Sequence, residues 1–149
     1  MDRKKVWYIL LIAYVCMIYG NSLMPADISS MESGHFLEML LKLSSQAGLE
    51  LFWLTEHIVR KWAHFTEYAG LGILLIMSFS VWRRGERKGL RAAVELGAAV
   101  PFVDETIQLF VRGRSGQISD VWLDMCGVAA GMAVTMWLMG RKKGGWRET

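Results

Sequence analysis

The chain has no G-x-S-x-G elbow, no H-E-x-x-H helix and no G-x-x-x-x-G-K-[ST] loop. The serine-hydrolase, zincin and P-loop solutions to catalysis are therefore missing as motifs. Cysteine is scarce, with only 2 in 149 residues. Cys16 and Cys126 both fall inside apolar runs, where they read as small hydrophobic fillers, so no disulfide framework is indicated. Internal repeats and low-complexity tracts are absent, and the length suits one domain spanning 1–149. The alternation of apolar and polar faces expected of long soluble helices is missing too.

What is present is apolar length. Hydrophobic residues make up 53% of the chain and its mean hydropathy is +0.27, more than a soluble domain of this size needs. Four segments, Val6–Leu23, Trp62–Trp82, Leu90–Val111 and Ile118–Met139, approach or exceed the roughly 17–25 residues that cross a bilayer as a helix. The expectation is an all-α polytopic membrane protein with four spans. In the first connection, Phe36, Met39, Leu40 and Leu43 share one face of a helix over His35–Leu43, with Glu38 and Lys42 opposite. That helix is too short to span and suits either the outer headgroup region or a cap over the bundle. The MPADISSMESG stretch before it reads as a turn-rich lead-in. Gln46-Ala47-Gly48 reads as a break, and Leu49–Val59 as helix leading into the second span.

Charge placement orients the spans. Arg3, Lys4 and Lys5 precede the first, Arg83, Arg84, Arg87, Lys88 and Arg91 surround the second connection, and Arg141, Lys142, Lys143 and Arg147 follow the last. Of the 17 basic residues, only Lys42, Arg60, Lys61, Arg112 and Arg114 remain for the other side. The positive-inside rule then puts both termini in the cytoplasm. The net charge of +3 reports topology, and nucleic acid is not an expected partner. Trp7, Trp62, Trp82, Trp122 and Trp137 fall near the expected interfaces. The basic start could also head a cleaved signal peptide, but the apolar run is long and no small-x-small site follows it cleanly.

Ionisable residues inside such spans are costly and mark a site by default. Lys61, His64, Glu67 and Tyr68 recur at i+3 and i+4 on the second span. Asp104 and Gln108 share a face of the third above Pro101, with Glu105 at its edge; the proline removes a helical hydrogen bond, so a kink is expected there. Asp120, Asp124, Gly127 and Gly131 align on the fourth, where the G-x-x-x-G permits close helix approach. All these polar groups fall at the outer ends of their helices. The loop Arg112-Gly113-Arg114-Ser115-Gly116 offers glycines, exposed N–H groups and two guanidiniums, a setting for an anion or phosphate. Asp120 and Asp124 at i,i+4 are candidate ligands for a hard divalent cation. A second reading fits the same residues, in which the acids and bases neutralise one another and only register the helices.

These residues resemble the VanZ-like family of small bacterial membrane proteins, named for a teicoplanin-resistance accessory protein. R-K-W-A-H-F-T-E-Y-A-G-L-G over 60–72 is similar to the family's K-x-x-H-F-x-x-Y-x-x-L-G block. D-E-T-I-Q-L-F-V-R-G-R over 104–114 is similar to its D-E-x-x-Q-x-F-x-x-G-R block. S-D-V-W-L-D-M-C-G-V-A-A-G over 119–131 resembles its D-x-x-x-[ND]-x-x-G-x-x-x-G ending. Asn21-Ser22 weakly resembles a serine position of relatives, and Arg112 departs from the usual proline. The resemblance marks Lys61, His64, Glu67, Tyr68, Asp104, Glu105, Gln108, Arg114, Asp120 and Asp124. It implies a role in the bacterial cell envelope, at the cytoplasmic membrane, and altered glycopeptide sensitivity, without an established mechanism.

Two functions follow as expectations. In one, an enzyme acts at the outer leaflet on a lipid-linked or cell-wall substrate, or an anionic lipid. His64, Glu67, Asp104 and Glu105 are its candidate acid/base and orienting groups; Lys61, Tyr68, Gln108, Arg112 and Arg114 are candidates for holding the substrate. In the other, a non-catalytic protein binds an envelope precursor or the antibiotic through the same cavity. A transport pathway is disfavoured because the inner halves of the four segments lack polar groups.

Overall fold

In the computed structural model, residues 3–79 and 87–144 are described. They form five α-helices and no strand: α1 (Arg3–Ser22), α2 (Ala26–Gln46), α3 (Glu56–Phe79), α4 (Arg87–Gln108) and α5 (Ile118–Gly144). Four of these correspond to the four apolar segments. The expected end of the second segment at Trp82, the basic residues Arg83 and Arg84, and Arg147 lie outside the described residues, as do the side chains of Arg3, Arg87, Lys142 and Lys143.

Two helical stretches, Lys4–Ser22 and Ile118–Arg141, are long and apolar enough to cross a membrane. α3 and α4 carry their charges inside the helix ends and do not reach that measure. Each of the four nevertheless leaves large apolar side chains on its outer surface. Examples are Ile9 and Ile12 on α1, Trp62 and Ile73 on α3, Val94 and Phe102 on α4, and Trp122 and Trp137 on α5. The inward faces meet in a core of Leu11, Ile18, Tyr68, Leu71, Leu75, Ile76, Ala93, Val100, Val128 and Met132. Cys16 and Cys126 are free and exposed. Pro101 lies within α4, which continues helically to Gln108.

The connection before α3 departs from expectation in two places. The lead-in from Ala26 is helical, so α2 is 21 residues long. Pro25 stands at its N-cap, where a fixed φ suits helix entry and the missing N–H costs nothing. The helix ends after Gln46, as expected, with Gly48 at φ 71°. Leu49–Thr55 is then non-helical, and α3 starts only at Glu56. Thr55 supplies the physical reason, because its hydroxyl accepts the N–H of Ile58 and caps the helix there. None of the α2 residues is buried. Its apolar side chains Phe36 and Leu40 line a depression against Val59, Trp62 and Ala63 of α3.

α3 and α5 share the most extensive helix interface. Glycine makes it close. A methyl group on Gly131 would collide with the Ala69 carbonyl, and one on Gly72 with the Val128 carbonyl. On Gly127 it would meet the Phe65 carbonyl oxygen at 2.6 Å. The paired positions advance together along both helices, so α3 and α5 run parallel. α1 runs antiparallel to α3, since the Ser78 hydroxyl donates to the Trp7 carbonyl at 3.1 Å while Asn21 meets Glu67 near the other end.

Overpacking at such a contact costs about 1–3 kcal/mol. Gly131→Leu is therefore expected to lower thermal stability in detergent sharply. Gly20→Ala, with open space around it, should leave the melting temperature near that of the parent.

Candidate functional site

The polar residues that the sequence scatters over three segments come together at one end of the bundle. They are joined there by the end of α1. Asp104 is only 1% exposed, and its carboxylate accepts two hydrogen bonds. The Ser22 hydroxyl donates to Oδ1 at 2.5 Å, and Gln108 Nε2 donates to Oδ2 at 3.1 Å. Gln108 also reaches the Ser22 oxygen, at 3.3 Å. One turn of α4 thus supplies both the acid and one of its donors, and the last residue of α1 completes the set. Ser22 is the residue that motif reading undervalued. Its signal was the Asn21-Ser22 pair closing the first apolar run.

On α3 and α5 the acids and bases face each other turn by turn. Lys61 forms an ion pair with Asp120. One turn further in, His64 Nδ1 lies 3.9 Å from Asp124 Oδ1. Asp124 is fully buried, and among the described residues neither of its oxygens has a hydrogen-bond partner. His64 Nδ1 is likewise sealed from solvent without one. Donor atoms of His64, Asp104 and Asp124 all lie within 4.8 Å of one another. Asp120, paired with Lys61, is outside that group. Tyr68 is completely buried at the same level.

The remaining acids are turned to other tasks. Glu67 Oε1 accepts from Asn21 Nδ2 at 2.9 Å. The Glu67 carbonyl accepts from the Tyr14 hydroxyl at 3.0 Å. Glu105 Oε2 accepts the backbone N–H of Gln117 at 2.9 Å, so this carboxylate clamps the α4–α5 loop. Of the loop N–H groups over 112–116 expected to be exposed, that of Arg114 donates instead to the Val111 carbonyl at 3.2 Å.

The loop itself is shaped by its glycines. Gly113 takes φ 77°, a left-handed conformation that other residues adopt at a cost. Gly116 is required for space instead, because a Cβ there would meet the Glu105 carbonyl oxygen at 2.5 Å. Arg114 reaches back across the bundle end. Its Nε donates to the Met24 carbonyl at 2.9 Å and its terminal nitrogen to the Asn21 carbonyl at 3.1 Å. Partial burial pulls its basicity below the ordinary arginine value and Arg60 adds to this, while Asp104, Glu105 and Glu67 oppose it. A guanidinium keeps its charge under such conditions. Arg112 is exposed, and only its carbonyl engages the bundle, accepting from Ala26 N at 3.3 Å.

Two adjoining cavities open over this layer. The first, about 110 Å³, is lined by Arg60, Lys61, His64, Gln108, Arg114, Asp120 and Asp124 among others. The second, about 330 Å³, is lined by Asn21, Ser22, Glu67 and residues of α2, and shares Arg60, His64 and Arg114 with the first. Arg112 and Glu105 line neither. Arg60 and His57 are lining residues that the motifs did not select as site residues. Both precede the polar stripe on the first turns of α3, and an extra cation one residue ahead of Lys61 was the available clue.

A family model described as VanZ/LLP1 matches residues 6–139. The chain belongs to the VanZ/LLP1 family. No curated protein and no solved structure matches it. Membership agrees with the three blocks read from the sequence. In this VanZ/LLP1 chain those blocks lie side by side: 60–72 on α3, 104–114 on α4 and the following loop, 119–131 on α5. With its two long apolar helices, the family assignment makes the chain a membrane protein.

A hydrogen bond to a carboxylate contributes about 1.5–3 kcal/mol when buried. Ser22→Ala is expected to destabilise the protein by about that much, read as a lower unfolding midpoint in detergent. Ser22→Thr, which keeps the hydroxyl, should recover part of the loss.

Proposed function

We propose that this VanZ/LLP1 protein crosses the bacterial cytoplasmic membrane four times, through α1, α3, α4 and α5, with both termini in the cytoplasm. The basic flanks argue for that orientation, and the apolar outer surfaces of all four helices favour lipid around them. The cavities then face outward. α2 lies along the outer surface with its apolar side chains toward the headgroup region or over α3.

Within that frame, the protein acts on an anionic lipid or lipid-linked cell-wall precursor at the outer leaflet, and through it alters glycopeptide sensitivity. The observation that carries this is the fully buried, unpartnered Asp124 facing His64 at the floor of a cavity lined by Arg60, Lys61 and Arg114. A cluster serving only to register helices would pair its charges, as Lys61 and Asp120 do. Leaving a carboxylate buried without a partner costs several kcal/mol, a cost that functional sites accept more often than packing contacts do.

The roles follow from position. Arg60 and Arg114 attract a phosphate or other anionic headgroup to the cavity mouth. Lys61 is held by Asp120 and adds positive potential there. His64 is placed to take a proton from a hydroxyl or water in the cavity, with Asp124 balancing the resulting imidazolium. Glu67 and Asp104 orient the α1 end, Gln108 lines the cavity wall and Tyr68 is buried behind it. The other reading keeps the same cavity as a non-catalytic binder of the precursor or the antibiotic. The absence of a nucleophile motif favours it.

Envelope-lipid profiling of cells with and without the protein separates the two. A lipid species that changes with the parent but not with His64→Ala or Asp104→Asn, at equal membrane expression, supports the enzyme. An unchanged profile with altered teicoplanin tolerance, lost in Arg114→Ala, supports the binder. Loss of folded protein in all three variants would leave the cluster a structural one.

A further inference from the structure

We propose that His64, Asp104 and Asp124 form a binding site for a divalent transition-metal ion of the manganese or zinc class. The inference rests on the functional reading of the same cavity and reassigns His64 there from proton acceptor to ligand, in a set drawn from three different helices, α3, α4 and α5.

Proximity comes first. One nitrogen of His64 and one oxygen from each aspartate lie within 4.8 Å of one another. Metal bonds to such atoms are about 2.0–2.2 Å long, so modest side-chain rotation brings all three onto one ion.

Unsatisfied chemistry is the second, independent observation. Asp124 is 0% exposed and both its oxygens lack a hydrogen-bond partner, as does the buried His64 Nδ1. Of these atoms, His64 Nδ1 and Asp124 Oδ1 face each other at 3.9 Å. Buried polar groups are nearly always satisfied; the buried Tyr68 hydroxyl is also without a partner among the described residues, and a cation bound between His64 and Asp124 would satisfy the nitrogen and the carboxylate together.

The protein's own cations do not fill that place. The Lys61 ammonium is paired with Asp120, and the Arg114 guanidinium is anchored on the Met24 and Asn21 carbonyls with no ion pair to Asp104 or Asp124 among the described residues. Among the described residues, the only ion pair reaching either Asp104 or Asp124 is the long His64 contact at 3.9 Å.

Asp104 shows the support expected of a ligand. Ser22 and Gln108 donate to its two oxygens, which fixes the carboxylate plane, and each oxygen keeps a lone pair for a metal. The donor set narrows the ion. Imidazole disfavours magnesium and calcium, and two carboxylates with no thiolate disfavour copper(I), so the set favours a first-row divalent ion, of which manganese and zinc are the redox-stable probes. Two carboxylates and a neutral imidazole balance a doubly charged ion. With three protein ligands, further coordination positions open toward the cavity. Asp120 stands outside the proposed set, its Oδ1 being paired with Lys61.

The test uses the full chain purified in detergent and stripped with a chelator. Manganese or zinc is then added alone, with magnesium for comparison. Retained metal is measured by elemental analysis after desalting, and thermal unfolding is followed in parallel. The expected result is a single equivalent of manganese or zinc per chain, with a raised melting temperature and no such rise with magnesium. Asp124→Asn and Asp104→Asn should each weaken binding by roughly tenfold or more, while Asp120→Asn retains the metal. In cobalt-loaded protein, His64→Gln should shift or abolish the visible absorption bands.

Failure of the stripped parent to retain manganese or zinc, with no thermal shift at excess metal, would overturn the proposal. Equal loss in Asp120→Asn and Asp124→Asn would overturn the ligand set. Should Asp124→Asn not fold, the parent and Asp104→Asn still decide. No substrate enters these measurements, so an inert lipid profile would remove the enzymatic reading without touching the metal site.

Discussion

The close parallel contact of α3 with α5 is the constraint from which the site follows. Gly127 and Gly131 let α5 settle against the carbonyls of Phe65 and Ala69, and Gly72 lets α3 settle against that of Val128. Small residues are what allow helices to approach this closely where water supplies no hydrophobic drive. One turn above Gly127 the same register sets Asp124 opposite His64. The next turn sets Asp120 opposite Lys61. A shift of one helical turn would exchange those partners, so the glycines fix which acid is paired and which is left open.

The acids solve the problem of buried charge in four different ways. Asp120 takes a lysine at the edge of the cavity, where both side chains stay partly exposed. Asp104 takes two neutral donors from separate helices. Glu105 takes a backbone N–H and thereby holds the loop that carries Arg114. Glu67 takes an amide from the end of α1. Asp124 takes no hydrogen bond among the described residues, only the 3.9 Å approach of His64, and it is fully buried. In a low-dielectric surrounding that asymmetry separates supporting acids from a reactive or ligating one.

α1 has a part in this that its composition conceals. Most of the helix is apolar, yet its last turn supplies Asn21 and Ser22 to Glu67 and Asp104, and its end supplies carbonyls to Arg114. The helix closes the fourth side of the cavity. At its other end the Ser78–Trp7 hydrogen bond and the edge-on Tyr8–Phe79 ring pair hold it to α3. One of the two helices long and apolar enough to cross a membrane is thus also a wall of the site.

Much of this was legible in one dimension. Helical spacing by itself put Lys61, His64 and Tyr68 on one face, Asp104 and Gln108 on another, and Asp120, Asp124, Gly127 and Gly131 on a third, because 3.6 residues per turn fixes those faces before any packing occurs. The apolar lengths foretold four long helices, and the three blocks foretold the family. Helix boundaries around α2 were missed, since a capping threonine and an N-cap proline act locally and leave no periodic trace. Which face meets which, and in what register, was decided only by tertiary contact. That contact gave Asp120 to Lys61, turned Glu105 to its loop, left Arg112 outside and brought Asp124 to His64 and Asp104, because partners on different helices are chosen by close packing and not by spacing along the chain.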